Sequence, residues 1–183
     1  MAIYDNDGTT NFEIVKVYDN DGTTNYPIAK IYDNDGTMNY LLYQNERVLD
    51  FTSVKKTTTG SGGSHSVTGG IGTLDVKNKA NYGNTYGTAE ITFDDVVGYS
   101  TLIFDWSTEF YGDEAGGNDS ITLYINGEKK RNWGHYWNGN TAYESGTSSF
   151  PIEGYTSLTF KIDSETHYNE GKAYISITNC RIE

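Results

Sequence analysis

The chain has 183 residues, of which 36% are hydrophobic and 14% aromatic, enough for one domain with a real core and a short appendage. Its formal net charge of −12 excludes a protein that binds nucleic acid through phosphate contacts, and it disfavours binding to anionic membranes. No apolar stretch approaches the ~18 residues of a membrane span. The single cysteine, Cys180, excludes an intrachain disulfide and a CxxC motif, and we predict a buried, inert thiol there.

Three units of 14 residues begin the chain, at 4–17, 18–31 and 32–45. Each opens with Tyr-Asp-Asn-Asp-Gly, a turn-forming sequence, and continues into an apolar stretch. This pattern predicts a small β-meander, or a stack with one strand per unit. A sheet of that size is marginal alone, so we expect it to pack on the following domain, on sister chains or on a larger scaffold. We therefore assign residues 1–46 to attachment or oligomerisation.

The Asp-Asn-Asp-Gly segments also resemble the opening of calcium loops, which place oxygen ligands on alternate residues before a glycine. Such loops end in a bidentate glutamate, and only the first unit has one, Glu13; Pro27 and Leu41 stand at the equivalent positions. We therefore predict turns without a cofactor, with calcium as the alternative interpretation. The calcium ligands would be Asp5, Asp7, Asp19, Asp21, Asp33 and Asp35.

Residues 47–183 have the strand patterns of a separate domain. Val48, Phe51 and Val54 predict a first strand, so the Gly/Ser/Thr-rich stretch 57–72 predicts a long loop. If 48–56 belongs with the repeats instead, the same stretch predicts a flexible linker. Alternating or apolar runs predict further strands at 89–93, 101–108, 121–125, 158–162 and 174–177. We predict an all-β protein in which the short repeat segment precedes an antiparallel β-sandwich of jelly-roll type.

Two particular features of this domain can be predicted. The pair Asn126-Gly127 predicts a tight hairpin that returns through 128–132. Leu102, Phe104 and Trp106 share one face of their strand, so Trp106 is expected in the core.

An aromatic segment at 132–140 is the main candidate site. Sugars present apolar faces that stack on exposed rings, while amides and imidazoles bind their hydroxyls, so this composition suits a glycan. The predicted ligand-binding residues are Trp133, His135, Tyr136, Trp137, Asn138 and Asn140, with a second, smaller candidate loop at Tyr82 and Tyr86. In the alternative interpretation, Trp133 and Trp137 only close one end of the core.

The sequence contains little that supports catalysis. His65, His135 and His167 lie in separate segments without metal-ligand spacing, and no nucleophile motif is present. A glycosidase needs two carboxylates that face each other across a cleft. We predict that the protein is not an enzyme, and a polysaccharide-degrading enzyme is the least favoured alternative.

The opening IYDNDGTTNFEIVKVYDNDGTTNYPIAKIYDNDGTMNYLLY resembles repeats near the start of structural proteins in tailed bacteriophages and prophages of gut bacteria. Through its strand pattern and aromatic segment, the remainder resembles carbohydrate-binding-module jelly rolls appended to phage tails, baseplates and head fibres. The resemblance implies a virion-surface, extracellular appendage and a homotrimer. Its partners would be other virion proteins, through the repeats, and a cell-surface glycan. The alternative is a purely structural capsid decoration or fibre subunit without a glycan ligand.

Overall fold

A computed structural model describes most of the chain. The described residues are 4–6, 11–13, 18–20, 23, 25–27, 30–34, 39–44, 46–60, 62–111, 118–136, 141–167 and 170–183. These residues form seventeen β-strands. They include no helix long and apolar enough to cross a membrane. The predicted all-β class is confirmed.

Each repeat unit contributes a two-stranded antiparallel sheet, and the third sheet also includes Lys30 and Ile31 from the end of the second unit. The strand pairs are β1 (Tyr4–Asn6) with β2 (Asn11–Glu13), β3 (Tyr18–Asn20) with β4 (Asn25–Pro27), and β5 (Lys30–Asn34) with β6 (Asn39–Gln44). The prediction of one strand per unit is therefore wrong. The Tyr-Asp-Asn that opens each unit is itself extended, and it pairs with a strand from the second half of the same unit.

Two larger antiparallel sheets are formed within residues 47–182. Their strands are β7 (Arg47–Val48), β8 (Lys55–Thr59), β9 (Gly63–Gly70), β10 (Thr73–Ala80), β11 (Thr85–Asp94), β12 (Thr101–Tyr111), β13 (Asn118–Ile125), β14 (Glu128–Tyr136), β15 (Thr141–Pro151), β16 (Ser157–Thr166) and β17 (Lys172–Ile182). The first sheet has the order β15-β12-β17-β10-β9, with β7 also paired to β17. The second sheet has the order β14-β13-β16-β11-β8.

The pairing of these strands is that of a jelly roll. The hairpin β13–β14 is innermost in the chain, and the pairs β12–β15, β11–β16 and β10–β17 enclose it in turn. Successive pairs alternate between the two sheets, which is the result of wrapping one long antiparallel hairpin around a core. The predicted jelly-roll sandwich is therefore confirmed.

The Asn126-Gly127 hairpin forms as predicted, between β13 and β14. Both residues have positive φ, 50° at Asn126 and 79° at Gly127, which a two-residue turn of type I′ requires. The Asn126 side chain also accepts a hydrogen bond from the Thr159 backbone nitrogen at 2.6 Å and donates one to the Ser157 carbonyl at 3.1 Å. The turn is thus fastened to the start of β16.

The predicted loop at 57–72 is wrong, because β8 and β9 occupy most of it. Both are edge strands of their sheets, so they need few apolar side chains, and threonine and serine are sufficient there. The predicted first strand is much shorter than expected: β7 ends at Val48, while Phe51 is buried beyond it.

Aromatic side chains from both sheets meet in the core. The Phe160 ring lies edge-on to Phe51 at 5.3 Å and to Phe104 at 5.8 Å between ring centroids. Trp106 is in the core, as predicted. Cys180 is also fully buried, and burial raises the pKa of its thiol to about 12, so the predicted buried thiol is confirmed.

Candidate functional site

The aromatic segment proposed from the sequence begins as strand, since β14 continues to Tyr136. Trp133 is only 2% exposed, and its ring centroid lies 5.2 Å from that of Trp106. The Arg131 guanidinium lies over both rings, 4.2 Å from the Trp106 centroid and 5.2 Å from the Trp133 centroid. The expectation of an exposed Trp133 platform does not hold, because this ring packs in the core and is covered by Arg131.

The orientation of Trp133 follows from a register shift in the hairpin. If the strand pairing next to the Asn-Gly turn continued without a shift, Trp133 would lie opposite Ser120, whose side chain points outward. A register shift between Leu123 and Tyr124 instead pairs Trp133 with Ile121, which is fully buried. A slip of one residue moves side chains to the other face of a sheet, so this bulge turns Trp133 inward.

The other residues predicted in this segment are not placed by the structure. His135 and Tyr136 belong to β14, but their side chains lie outside the described part of the molecule. Trp137, Asn138 and Asn140 lie outside the described residues altogether. Their role in ligand binding therefore stays a prediction.

The second predicted loop is partly engaged in internal contacts. Tyr82 is 84% exposed and Tyr86 is 40% exposed. The Tyr86 hydroxyl accepts a hydrogen bond from the Asn84 side-chain amide at 3.1 Å, and its ring lies edge-on to His167 at 6.3 Å. Neither tyrosine lines the groove described below.

The aspartates considered for calcium are only partly placed. Asp5, Asp19 and Asp33 lie in β1, β3 and β5, whereas Asp7, Asp21 and Asp35 lie outside the described residues. Among the residues that the structure describes, no group of three or more His, Cys, Asp or Glu could hold a metal ion.

A groove crosses the outer face of the first sheet, with a volume of about 580 Å³. Its floor is a row of short polar side chains that face each other in register across four strands: Asp75, Ser176, Ser107 and Ser145. This size lies within the range of small-ligand sites in proteins. We call it the serine groove.

One wall of the serine groove is the next row of the same face, two residues along each strand. This tyrosine row consists of Lys77, Tyr174, Glu109 and Tyr143 in register. Its two rings and longer chains stand higher than the serines, and Tyr143 is 72% exposed. The wall therefore offers an accessible aromatic surface beside a floor of hydroxyls.

The row on the other side of the floor is held by hydrogen bonds. Asp105 accepts one from the Thr147 hydroxyl at 2.6 Å and one from the Asn179 side-chain amide at 2.7 Å. These two bonds lower the pKa of Asp105, so its carboxylate is ionised at neutral pH. The row beside the serines is thus polar and fixed.

The surroundings of the Tyr174 phenol in the groove keep it protonated. Burial raises the pKa of Tyr174, and the nearby Glu109 charge raises it further, so the phenol remains a hydrogen-bond donor. The charged residues that line the groove are three carboxylates, Asp75, Glu109 and Glu144, and one lysine, Lys77. Hydroxyls, carboxylates and a ring thus converge on one open surface, a set of groups that binds polyhydroxylated molecules.

The serine groove has no signal in the local sequence. Ser107, Ser145 and Ser176 lie on three different strands, and nothing in their local sequence distinguishes them from other outward residues. Only the register of β12 with β15 and β17 brings them into one row. A reliable strand-pairing prediction would have been the necessary signal.

No family model matches the chain, and no curated protein matches it. Among solved structures, it is similar to the CBM36-1 domain of a multidomain xylanase from the hindgut metagenome of Trinervitermes trinervoides, at 18% identity and TM-score 0.37, over 73% of this chain and 96% of that one. A family 11 carbohydrate-binding module from Clostridium thermocellum, in complex with a mixed-linked tetrasaccharide, matches at 13% identity and TM-score 0.38, covering 75% and 94%.

A third similar structure is the enzymatically active domain of tailspike protein 4 of bacteriophage CBA120. It matches at 11% identity and TM-score 0.35, over 73% of this chain and 20% of that one. With identities and TM-scores this low, neither a family nor a ligand follows from these matches. The fold and the groove define a jelly-roll β-sandwich with an open polar site on one sheet face.

Proposed function

We propose that this protein is a non-catalytic glycan-binding protein and that the serine groove holds the glycan. The observation that carries the proposal is the exposed Tyr143 ring beside an in-register floor of serine hydroxyls. A sugar would stack its apolar face on the ring and exchange hydrogen bonds with Ser107, Ser145 and Ser176. Such shallow sites bind weakly, and repetition on an assembly raises the overall affinity through avidity.

The carboxylates of the groove raise the alternative of a polysaccharide-degrading enzyme. Asp75 and Glu109 occupy outward positions of the same sheet, on strands separated by β17. Both rise from one sheet face, Asp75 from the floor of the groove and Glu109 from its wall, and glycoside hydrolysis needs an acid and a base or nucleophile on opposite sides of the scissile bond. In our proposal these carboxylates accept hydrogen bonds from sugar hydroxyls and do not catalyse hydrolysis. Release of reducing ends from a bound polysaccharide would contradict the proposal.

Filling the groove should abolish binding. Ser176 lies at the centre of the floor, so Ser176→Tyr is expected to reduce affinity at least tenfold in a titration with the best ligand from a panel of neutral, amino and acidic oligosaccharides. Thr57→Tyr places the same side chain on the opposite sheet and is the matched control, expected to bind normally. Ser145→Tyr, on an edge strand, is the second variant if the first fails to fold.

Equal binding by the parent and a folded Ser176→Tyr or Ser145→Tyr would place the ligand elsewhere. The predicted residues Tyr82, Tyr86, His135, Tyr136, Trp137, Asn138 and Asn140 would then be the next candidates. Failure of the parent to bind any member of the panel would favour the purely structural role.

The repeats suggest where the protein is located. Their resemblance to phage structural segments supports a virion appendage in which residues 1–46 attach to other virion proteins or join sister chains. We expect a homotrimer, so light scattering after gel filtration should give three times the 20.4 kDa mass of the chain. A monomer at all concentrations would contradict the trimer, and it would leave the groove proposal intact.

A further inference from the structure

A fourth row on the outer face of the first sheet is basic. It lies next to the tyrosine row and contains Lys79, Lys172 and Tyr111 in register across β10, β17 and β12. Lys79 and Lys172 are directly opposite each other, and Lys77 is two residues from Lys79 on the same strand face. We call Lys77, Lys79 and Lys172 the lysine cluster.

This arrangement is unfavourable in the unliganded protein. Like charges directly opposite on neighbouring strands repel each other and destabilise the pair. Within the described part of the chain, none of the three lysines makes an ion pair. Two of the ammonium groups lie instead over aromatic rings, Lys77 at 5.9 Å from the Tyr174 centroid and Lys172 at 5.4 Å from the Tyr111 centroid.

The contrast with the rest of the protein is large. The chain carries 25 acidic against 13 basic residues, yet the three lysines grouped on this face have no carboxylate partner among the described residues. The adjoining serine groove is predominantly acidic, since Asp75, Glu109 and Glu144 line it beside Lys77, which the groove shares with the cluster. A ligand that extends over the serine groove and the lysine cluster would contact an acidic, hydroxyl-rich surface at one end and a basic surface at the other.

We propose that the glycan of the serine groove is anionic, with a carboxylate or a phosphate or sulfate ester that binds over the lysine cluster. This inference rests on the proposed function. The uncharged hydroxyls of the glycan would lie in the groove, and its anionic group would be kept out of the groove by repulsion from Asp75 and Glu109. Charge-assisted hydrogen bonds from Lys79 and Lys172 would replace their mutual repulsion with attraction.

The test uses oligosaccharides in matched pairs. One arm compares a uronic-acid oligomer with its carboxyl-reduced form, and the other compares a phosphorylated or sulfated oligomer with its dephosphorylated or desulfated form, so the two arms identify the anionic group. By calorimetric titration, the parent protein should bind the acidic member of at least one pair about tenfold more tightly than its neutral partner.

The double variant Lys79→Gln/Lys172→Gln should lose this preference while it still binds the neutral member. Lys55→Gln/Lys129→Gln removes the same charge from exposed positions on the second sheet, and it should keep the preference. Equal or tighter binding of the neutral members by the parent would overturn the inference and leave the groove proposal standing. Absence of binding in every pair would also overturn the inference, and the groove proposal would fall with it only if no member of the wider oligosaccharide panel bound either.

Discussion

Trp133→Ala is expected to lower the free energy of unfolding by about 3–5 kcal/mol, the range for removing a buried tryptophan. The ring is 2% exposed and packs against Trp106, so its loss leaves a cavity between the sheets. It also removes one of the two rings beneath the Arg131 guanidinium. Chemical denaturation followed by circular dichroism measures the change.

Two variants control this result. Trp133→Phe keeps a ring at the site and should cost clearly less, while Tyr82→Ala removes an 84% exposed ring and should leave stability within about 0.5 kcal/mol of the parent. A Trp133→Ala protein with unchanged stability and lost glycan binding would show that Trp133 acts in recognition, as the sequence first suggested.

Tyr143→Ala is expected to weaken glycan binding about tenfold without a change in stability. A ring that is 72% exposed adds little to the fold, but a stacked sugar would bury it, and about 1.4 kcal/mol of lost contact corresponds to one factor of ten. Titration with the best ligand of the oligosaccharide panel measures the change.

Tyr82→Ala is the matched control, because it removes a similarly exposed tyrosine outside the serine groove. It should bind as tightly as the parent. The reverse outcome, in which Tyr82→Ala weakens binding and Tyr143→Ala does not, would move the site to the loop predicted from the sequence.

The parts of the fold that the sequence predicts are those with strong local signals. Alternation places Leu102, Phe104 and Trp106 on one face of β12, and all three are buried. The Asn126-Gly127 turn is specified by its two residues alone, because both must accept positive φ. Such features depend on residues that are close in sequence.

Other features depend on pairing between distant strands, and these were missed or misplaced. β8 and β9 lack apolar alternation because edge strands do not need it, so they resemble a loop. The inward position of Trp133 depends on a bulge that the turn sequence does not reveal. The serine groove exists only through the register of four strands.

The central claim is that the serine groove binds a glycan, and an amide NMR titration with the tightest oligosaccharide of the panel tests it most directly. The largest shift changes are predicted at Ser107, Ser145 and Ser176, with small changes on the opposite sheet. Largest changes at 81–86 or 132–140, with the serine amides unmoved, would contradict the claim.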